Sequence, residues 1–180
     1  MRTNIRFATV IEGGTDLGRR TSTGAVDRIP AELRQRVLAE GGDWFGLRMI
    51  LIGNYYSVEA FAALAQEHGL LRAEFTILGY LSDYGEMTAN VICAMSGRPK
   101  NSISRGVIKL TANKFITARP SEEDRRYMVL DVTDEGRALY MQAMKLFRER
   151  EEEVFGFLSP SDLAKLDDLL MKILAHWHAR

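Results

Sequence analysis

The sequence predicts a mainly α-helical chain with one small β-hairpin. Two patterns indicate this: apolar residues recur every three or four positions through most of residues 43–180, and the period falls to two only near 127–133. Hydrophobic residues make up 46% of the 180 residues, which is enough to build a core. We therefore expect one compact helical domain, with an extension at residues 1–42.

The overall charge and the cysteine count exclude several classes of protein. The 24 basic residues balance the 24 acidic ones, so the chain is no histone-like polycation. A single cysteine excludes an intrachain disulfide framework and fits a reducing compartment. The longest strictly apolar run spans only residues 60–65, and no signal-peptide pattern is visible. We expect a cytoplasmic protein with no membrane contact.

Residues 1–42 differ from the rest of the chain. They contain seven basic and five acidic residues, and residues 12–28 are rich in Gly and Thr, which is typical of a partly flexible loop. A short helix is predicted over 30–40, ended by two glycines. We assign 1–42 as an N-terminal extension.

Six helices and two strands are predicted beyond this extension. Asp43 is the predicted N-cap of the first helix, and Thr133 and Ser159 are those of the last two. The predicted helices span residues 43–67, 71–82, 88–95, 99–113, 133–157 and 160–180, with a turn at 83–85. The predicted strands span 115–119 and 127–133, and the polar segment between them is a hairpin tip. This order is that of a winged helix-turn-helix.

The fourth helix, called the reader helix here, has two unlike faces. At 100° per residue, Ile103, Val107 and Leu110 share one face. The predicted opposite face holds Arg98, Arg105 and Lys109, with Asn101 and Ser102 beside them. Residues 98–121 contain six basic residues and no acidic one. Cations that meet phosphates and donors that meet base edges are what a DNA-reading helix needs.

The wing formed by this hairpin adds further arginines, namely Arg119, Arg125 and Arg126. A hairpin arginine can enter the minor groove next to the reader helix, drawn by its negative potential. We expect Asp124 to hold one of these arginines through a charge-assisted hydrogen bond. The alternative is a mobile charged tip without a role.

On these residues the chain resembles the MarR family of bacterial transcriptional regulators. The resemblance covers residues 70–140, and its most specific parts are the Asp-x-Arg wing at 124–126 and the Thr-x-x-Gly helix start at 133–136. Residues 43–180 fit the six-helix plan of the family, whereas 1–42 lie outside it. Three positions depart from the pattern. Asn113 replaces a capping glycine and is expected to be left-handed, Leu71 replaces a Thr cap, and Cys93 replaces Ala.

The resemblance implies a homodimer, held by its first and last helices, that binds a pseudo-palindromic double-stranded DNA operator. Many members are repressors released by small phenolic or aromatic effectors, which bind between the dimerisation helices and the reader lobe. The chain then divides into a dimerisation helix (43–69), the winged helix-turn-helix domain (70–133) and a long helix with a C-terminal dimerisation helix (134–180). The apolar spacing of the last helix is that of a coiled-coil seam. The expected dimerisation residues are Leu47, Leu51, Leu163, Leu166, Leu170, Ile173 and Trp177.

Other candidate sites have weaker support. Trp44, Arg48, Tyr55 and Tyr56 could line an aromatic-acid pocket, or they could be dimer core. Cys93 lies among apolar residues, which favours a core position over oxidant sensing. His176 and His178 are two residues apart, which is poor geometry for a metal on a helix, so we expect no metal and no cofactor. No nucleophile, phosphate-loop or paired-carboxylate motif is present, so we expect no enzyme.

The sequence thus predicts a DNA-binding regulator with assigned contacts. Asn101, Ser102, Ser104 and Arg105 are predicted to meet base edges. Arg98, Lys100 and Lys109 are predicted to meet phosphates, and Arg125 or Arg126 the minor groove. The alternative is a helical dimerisation module that acts through protein contacts without DNA. The acid-free stretch 98–121 separates the two, because such a module has no need for it.

Overall fold

The computed structural model describes residues 45–178. Six helices occur in this part: α1 (Phe45–His68), α2 (Arg72–Tyr84), α3 (Ala89–Ser96), α4 (Lys100–Ala112), α5 (Asp134–Phe155) and α6 (Pro160–His178). Three strands accompany them: β1 (Met87–Thr88), β2 (Ile116–Pro120) and β3 (Met128–Val132). The predicted fold class, mainly α with a β-hairpin wing, is confirmed. The N-terminal extension, the Asp43 cap and the side chain of Trp177 lie outside the described residues.

The core of the reader lobe forms where α2, α3, α4 and β3 meet. Its fully buried side chains include Ile77, Leu78, Leu81, Ile92, Ile103, Leu110 and Leu130. Gly106 lets α4 approach α2 closely, since a Cβ at that position would lie 2.7 Å from Cδ1 of Ile77. This contact fixes which face of α4 turns inward.

The sheet has three antiparallel strands in the order β1-β3-β2. β2 and β3 form the predicted hairpin, with Ile116 opposite Val132. β1 pairs with the other edge of β3, where Met87 lies opposite Leu130. The sequence did not predict β1, because two residues are too few to show a period of two. Thr88 belongs to β1 and is also the N-cap of α3, its hydroxyl accepting from the Val91 amide.

Two helix ends differ from prediction. α2 continues through the predicted turn to Tyr84 and stops at Gly85, whose φ is +83°. The left-handed residue after α4 is Lys114, with φ +62°, and not Asn113, whose φ is −86°. The prediction for Asn113 was therefore wrong. It was off by one residue because α4 ends at Ala112, which places the reversal of the chain after Asn113.

The starts of the last two helices are capped as predicted. The Thr133 hydroxyl accepts from the Gly136 amide at 3.0 Å, and the Ser159 hydroxyl accepts from the Asp162 amide at 3.2 Å. Hydrogen bonds from Ser159 and then Lys165 lower the pKa of the Asp162 carboxyl below its usual value.

None of the helices within residues 45–178 is long and apolar enough to cross a membrane.

Candidate nucleic-acid interface

The outward face of α4 is formed by four exposed side chains, Asn101, Ser104, Arg105 and Ile108. The inward face buries Ile103, Gly106 and Leu110. Asn101, Ser104 and Arg105 thus lie where the sequence predicts base-reading residues. Ile108 lies among them with 70% of its surface exposed. Sequence reasoning missed it because it searched this face for polar groups, although the helical angle alone puts Ile108 about 20° from Asn101.

The two flanks of α4 differ from its outward face. Lys100, at the first turn, is exposed. Ser102 is half-buried, and its amide donates to the Pro99 carbonyl at 3.0 Å. The predicted base contact by Ser102 stays a prediction, from a position at the edge of the face and not at its centre.

Lys109 has partners inside the protein. Its ammonium donates to the Glu74 carboxylate at 3.0 Å and to the Gly69 carbonyl at 2.9 Å. The Glu74 side chain is 4% exposed and also accepts from the Leu71 amide at 2.9 Å. This bond replaces the Thr cap that Leu71 lacks. The structure therefore gives Lys109 a structural role, and its predicted phosphate contact stays a prediction.

Arg98 also turns inward. It is half-buried, and its Nε is buried with no hydrogen-bond partner among the described residues. Its guanidinium lines a cavity together with Arg72, and not the outward face of α4. The predicted phosphate contact by Arg98 stays a prediction, made for a residue that precedes α4 and to which the helical angle does not apply.

The wing is held by two ion pairs. Near the end of β2, Arg119 lies 2.7 Å from the Glu86 carboxylate. At its tip, Asp124 accepts from both Nε and Nη2 of Arg126, and this pairing lowers the pKa of the Asp124 carboxyl. Asp124 thus holds one of the wing arginines, as expected, and that arginine is Arg126. Arg126 remains 84% exposed, and Arg125 is exposed as well.

A cavity of about 390 Å³ lies beside α2, where Tyr140 of α5 and Arg98, which precedes α4, also line it. Aromatic rings of Phe61, Phe75, Tyr80 and Tyr140 line it, with Arg72, Arg98 and Asp83 as charged groups. Burial, and then the charge of Arg98, lower the pKa of the Arg72 guanidinium, which lies over the Phe61 ring at 4.6 Å. The Tyr140 hydroxyl donates to Asp83 at 3.1 Å, and burial followed by the Asp83 charge raises the pKa of Tyr140. The cavity thus combines apolar walls with two cations.

The pocket predicted from aromatic residues of the first helix does not coincide with this cavity, since none of its described residues lines it. Tyr55 is exposed, whereas Tyr56 packs against Phe147 and Phe155, with ring centroids 6.4 and 6.3 Å apart. Arg48 lies over the Phe45 ring at 5.9 Å. Trp44 lies outside the described residues.

The remaining candidates give no site. Among the described residues, no three His, Cys, Asp or Glu side chains are grouped to hold a metal ion. Cys93 is half-buried and packs against the core, as its apolar neighbours predicted.

Comparison with known proteins agrees with this geometry. The family model described as MarR family matches residues 68–126, which run from the end of α1 to the tip of the wing. An HTH-type transcriptional regulator, BilQ, from Clostridium symbiosum (strain WAL-14163) is 33% identical over 70 residues, covering 39% of this chain and 49% of BilQ. Residues 68–126 thus carry the likeness to the MarR family. It spans about half the length of the curated relative that it matches.

Solved structures extend the likeness beyond the reader lobe. Apo MarR from E. coli superposes with a TM-score of 0.63 at 18% identity, covering 72% of this chain and 96% of MarR. BldR from Sulfolobus solfataricus gives 0.66 at 19% identity, covering 82% of this chain and 99% of BldR. BpsR from Bordetella bronchiseptica gives 0.63 at 21% identity, covering 73% and 93%. At these low sequence identities, the superpositions show a shared fold and no more.

Proposed function

We propose that this chain is a sequence-specific DNA-binding transcriptional regulator of the MarR family. The observation that supports this best is the outward face of α4, where Asn101, Ser104 and Arg105 are exposed opposite a buried core stripe. Side chains of these types read base edges in the major groove. The exposed Arg125 and Arg126 extend the same surface and suit the adjacent minor groove. The alternative, a dimerisation module without DNA, does not account for this face.

The regulator acts as a homodimer on a pseudo-palindromic operator. Helix α6 supports this, because Leu163, Leu170 and Ile173 form an apolar seam that is 38–43% exposed in the single chain. A second copy would bury these side chains. The two α4 helices would then enter successive major grooves about 34 Å apart.

The cavity supports control by a small aromatic acid. Arg72 and Arg98 offer two guanidiniums to a carboxylate, and the buried Nε of Arg98 has no hydrogen-bond partner within residues 45–178. Phe61, Phe75 and Tyr80 offer ring faces to an aromatic group. BpsR, one of the structural relatives, is described as regulated in its DNA binding by 6-hydroxynicotinic acid.

An aromatic acid in this cavity would act on the reader helix directly. Arg98 lies two residues before α4, so a carboxylate that binds its guanidinium also biases the orientation of that helix. A ligand that favours one orientation of α4 shifts the population toward it. We propose that the bound form has lower affinity for DNA, so that the protein is a repressor released by its effector.

DNA reading is tested by selecting duplexes from a randomised library with the purified full chain. We expect one sequence to be enriched, and its binding to weaken steeply as salt rises from 50 to about 200 mM. Arg105→Ala is expected to abolish the preference for this duplex over random DNA while leaving the dimer intact. Arg148→Ala, at an exposed position of α5, is the matched control. Unchanged selectivity of Arg105→Ala would contradict the assignment.

The effector class is tested with benzoate and hydroxybenzoates, and with benzyl alcohol as the uncharged control. A ligand that binds the folded state raises the melting temperature. We expect the acids to raise it for the wild type and not for Arg98→Met, and benzyl alcohol to have no effect. Equal shifts for Arg98→Met and the wild type would exclude the guanidinium as the carboxylate site.

A further inference from the structure

Ile108 occupies a position that the fold does not need. Its side chain is 70% exposed on the outward face of α4, so it contributes little to the core. A β-branched residue also has a lower helix propensity than Ala, Lys or Arg, which would suit an exposed helical position better. Stability therefore gives no reason for isoleucine at this position.

The neighbours of Ile108 on α4 are the proposed base-reading residues. Ser104 precedes it by four positions and Arg105 by three, so both lie one turn away on the same face. Asn101 lies two turns before it. Ile108 is thus an apolar group within a polar reading surface.

The polar surroundings point to DNA and not to a protein partner. A protein-docking surface usually needs a contiguous apolar patch. On this face of α4, Ile108 is instead surrounded by Asn101, Ser104 and Arg105, which are exposed donors. These groups complement the phosphates and acceptor atoms of a duplex.

We propose that Ile108 contacts the C5 methyl group of a thymine in the operator and thereby selects a T·A pair at that position. The thymine methyl is the apolar group that base pairs offer to a helix in the major groove. The contact would remove both apolar surfaces from water. This inference rests on the proposed function of α4 as the reader helix.

The test replaces each thymine of the library-selected duplex by deoxyuridine, which removes only the methyl group. For the wild type, we expect one thymine per half-site where this replacement lowers affinity about fourfold, as expected for one buried methyl group. Replacement in both half-sites should lower affinity about sixteenfold. Ile108→Ser should bind the thymine and uracil duplexes equally.

Two controls keep the result specific. Lys100→Ala retains Ile108, so it should keep the full uracil penalty even though its overall affinity falls. The melting temperature of Ile108→Ser should match that of the wild type, since the side chain is exposed.

The outcomes separate this inference from the proposed function. If one duplex is enriched but every uracil penalty is equal in the wild type and Ile108→Ser, the thymine contact is wrong and DNA reading by α4 stands. If the enriched duplex has no thymine whose methyl group matters, the inference is equally wrong. If no duplex is enriched, the proposed function fails, and the inference fails with it.

Discussion

The ammonium of Lys109 lies 3.0 Å from the carboxylate of Glu74, a side chain that is almost completely buried. Lys109 belongs to α4 and Glu74 to the first turn of α2. Because Glu74 also accepts from the Leu71 amide and Lys109 donates to Gly69, this ion pair ties the reader helix to the segment between α1 and α2. The ion pair thus restrains the orientation of α4 relative to the segment that follows α1.

Lys109→Met is expected to lower the free energy of unfolding by about 1–2 kcal/mol, because a buried carboxylate loses a charged hydrogen-bond partner. The lysine is half-exposed, so the loss is smaller than for a fully buried pair. Urea denaturation at one protein concentration measures it. Lys165→Met, which removes an exposed ion pair with Asp162, is the control and should cost less than about 0.5 kcal/mol. Equal losses for the two variants would show that the Glu74 pair contributes no more than a surface pair.

Gly136→Ala should be among the most destabilising single substitutions in α5, because Gly136 packs against the wing strands. A Cβ at this position would lie 2.0 Å from the carbonyl oxygen of Phe115, which accepts from the Thr133 amide. The backbone must therefore move, and we expect a loss of about 3 kcal/mol. The control is Ala138→Gly in the exposed part of the same helix, which should cost about 1 kcal/mol through helix propensity alone. A smaller loss for Gly136→Ala than for the control would contradict the close approach.

Asp124→Asn should weaken DNA binding without changing the melting temperature. Both partners of the Asp124–Arg126 pair lie at the surface, so their pairing orients the arginine and does not stabilise the core. Arg126→Ala should reduce the slope of log affinity against log salt by about one, the value for one lost phosphate contact.

Because Arg126 lowers the pKa of Asp124, the pairing persists above the usual pKa of an aspartate and is lost only as pH falls through the lowered value. A full loss of the wing contribution at pH 6 would contradict this.

In Tyr56→Phe, the free energy of unfolding should fall less between pH 9 and pH 11 than it does in the wild type. Burial, and then Glu151, raise the pKa of Tyr56 from 10.0 to about 12. The stabilising contribution of the neutral phenol is complete below pH 10 and is lost as pH rises through about 12. Urea denaturation at pH 9 and pH 11 measures the slope, and Tyr55→Phe, at an exposed position, is the control. The same slope in Tyr56→Phe and the wild type would exclude Tyr56 as its source.

Leu170→Asp should convert the dimer to a monomer, because a carboxylate in the apolar seam of α6 cannot be buried unpaired. Ala164→Asp places the same charge about 120° around the helix from Leu170 and should leave the dimer intact. Sedimentation equilibrium of both variants provides the measurement. A dimeric Leu170→Asp would exclude this seam as the interface.

The helices and the hairpin could be predicted because their information is local. Apolar spacing and capping residues such as Thr133 act within one or two turns. The orientations of Lys109 and Arg98 could not be predicted. The partners of Lys109, Glu74 and Gly69, lie 35 and 40 positions earlier in the chain, and only packing brings them together. The cavity was missed for the same reason, since Arg72 and Arg98 meet only after α2 packs beside α4.

The central position of β3 has a consequence for the DNA that this protein reads. Because β3 pairs with β1 on one edge and β2 on the other, and Thr88 joins β1 to α3, the hairpin moves together with the helices beside it. On the proposed function, an effector that reorients α4 would therefore also displace the wing, through α3 and β1.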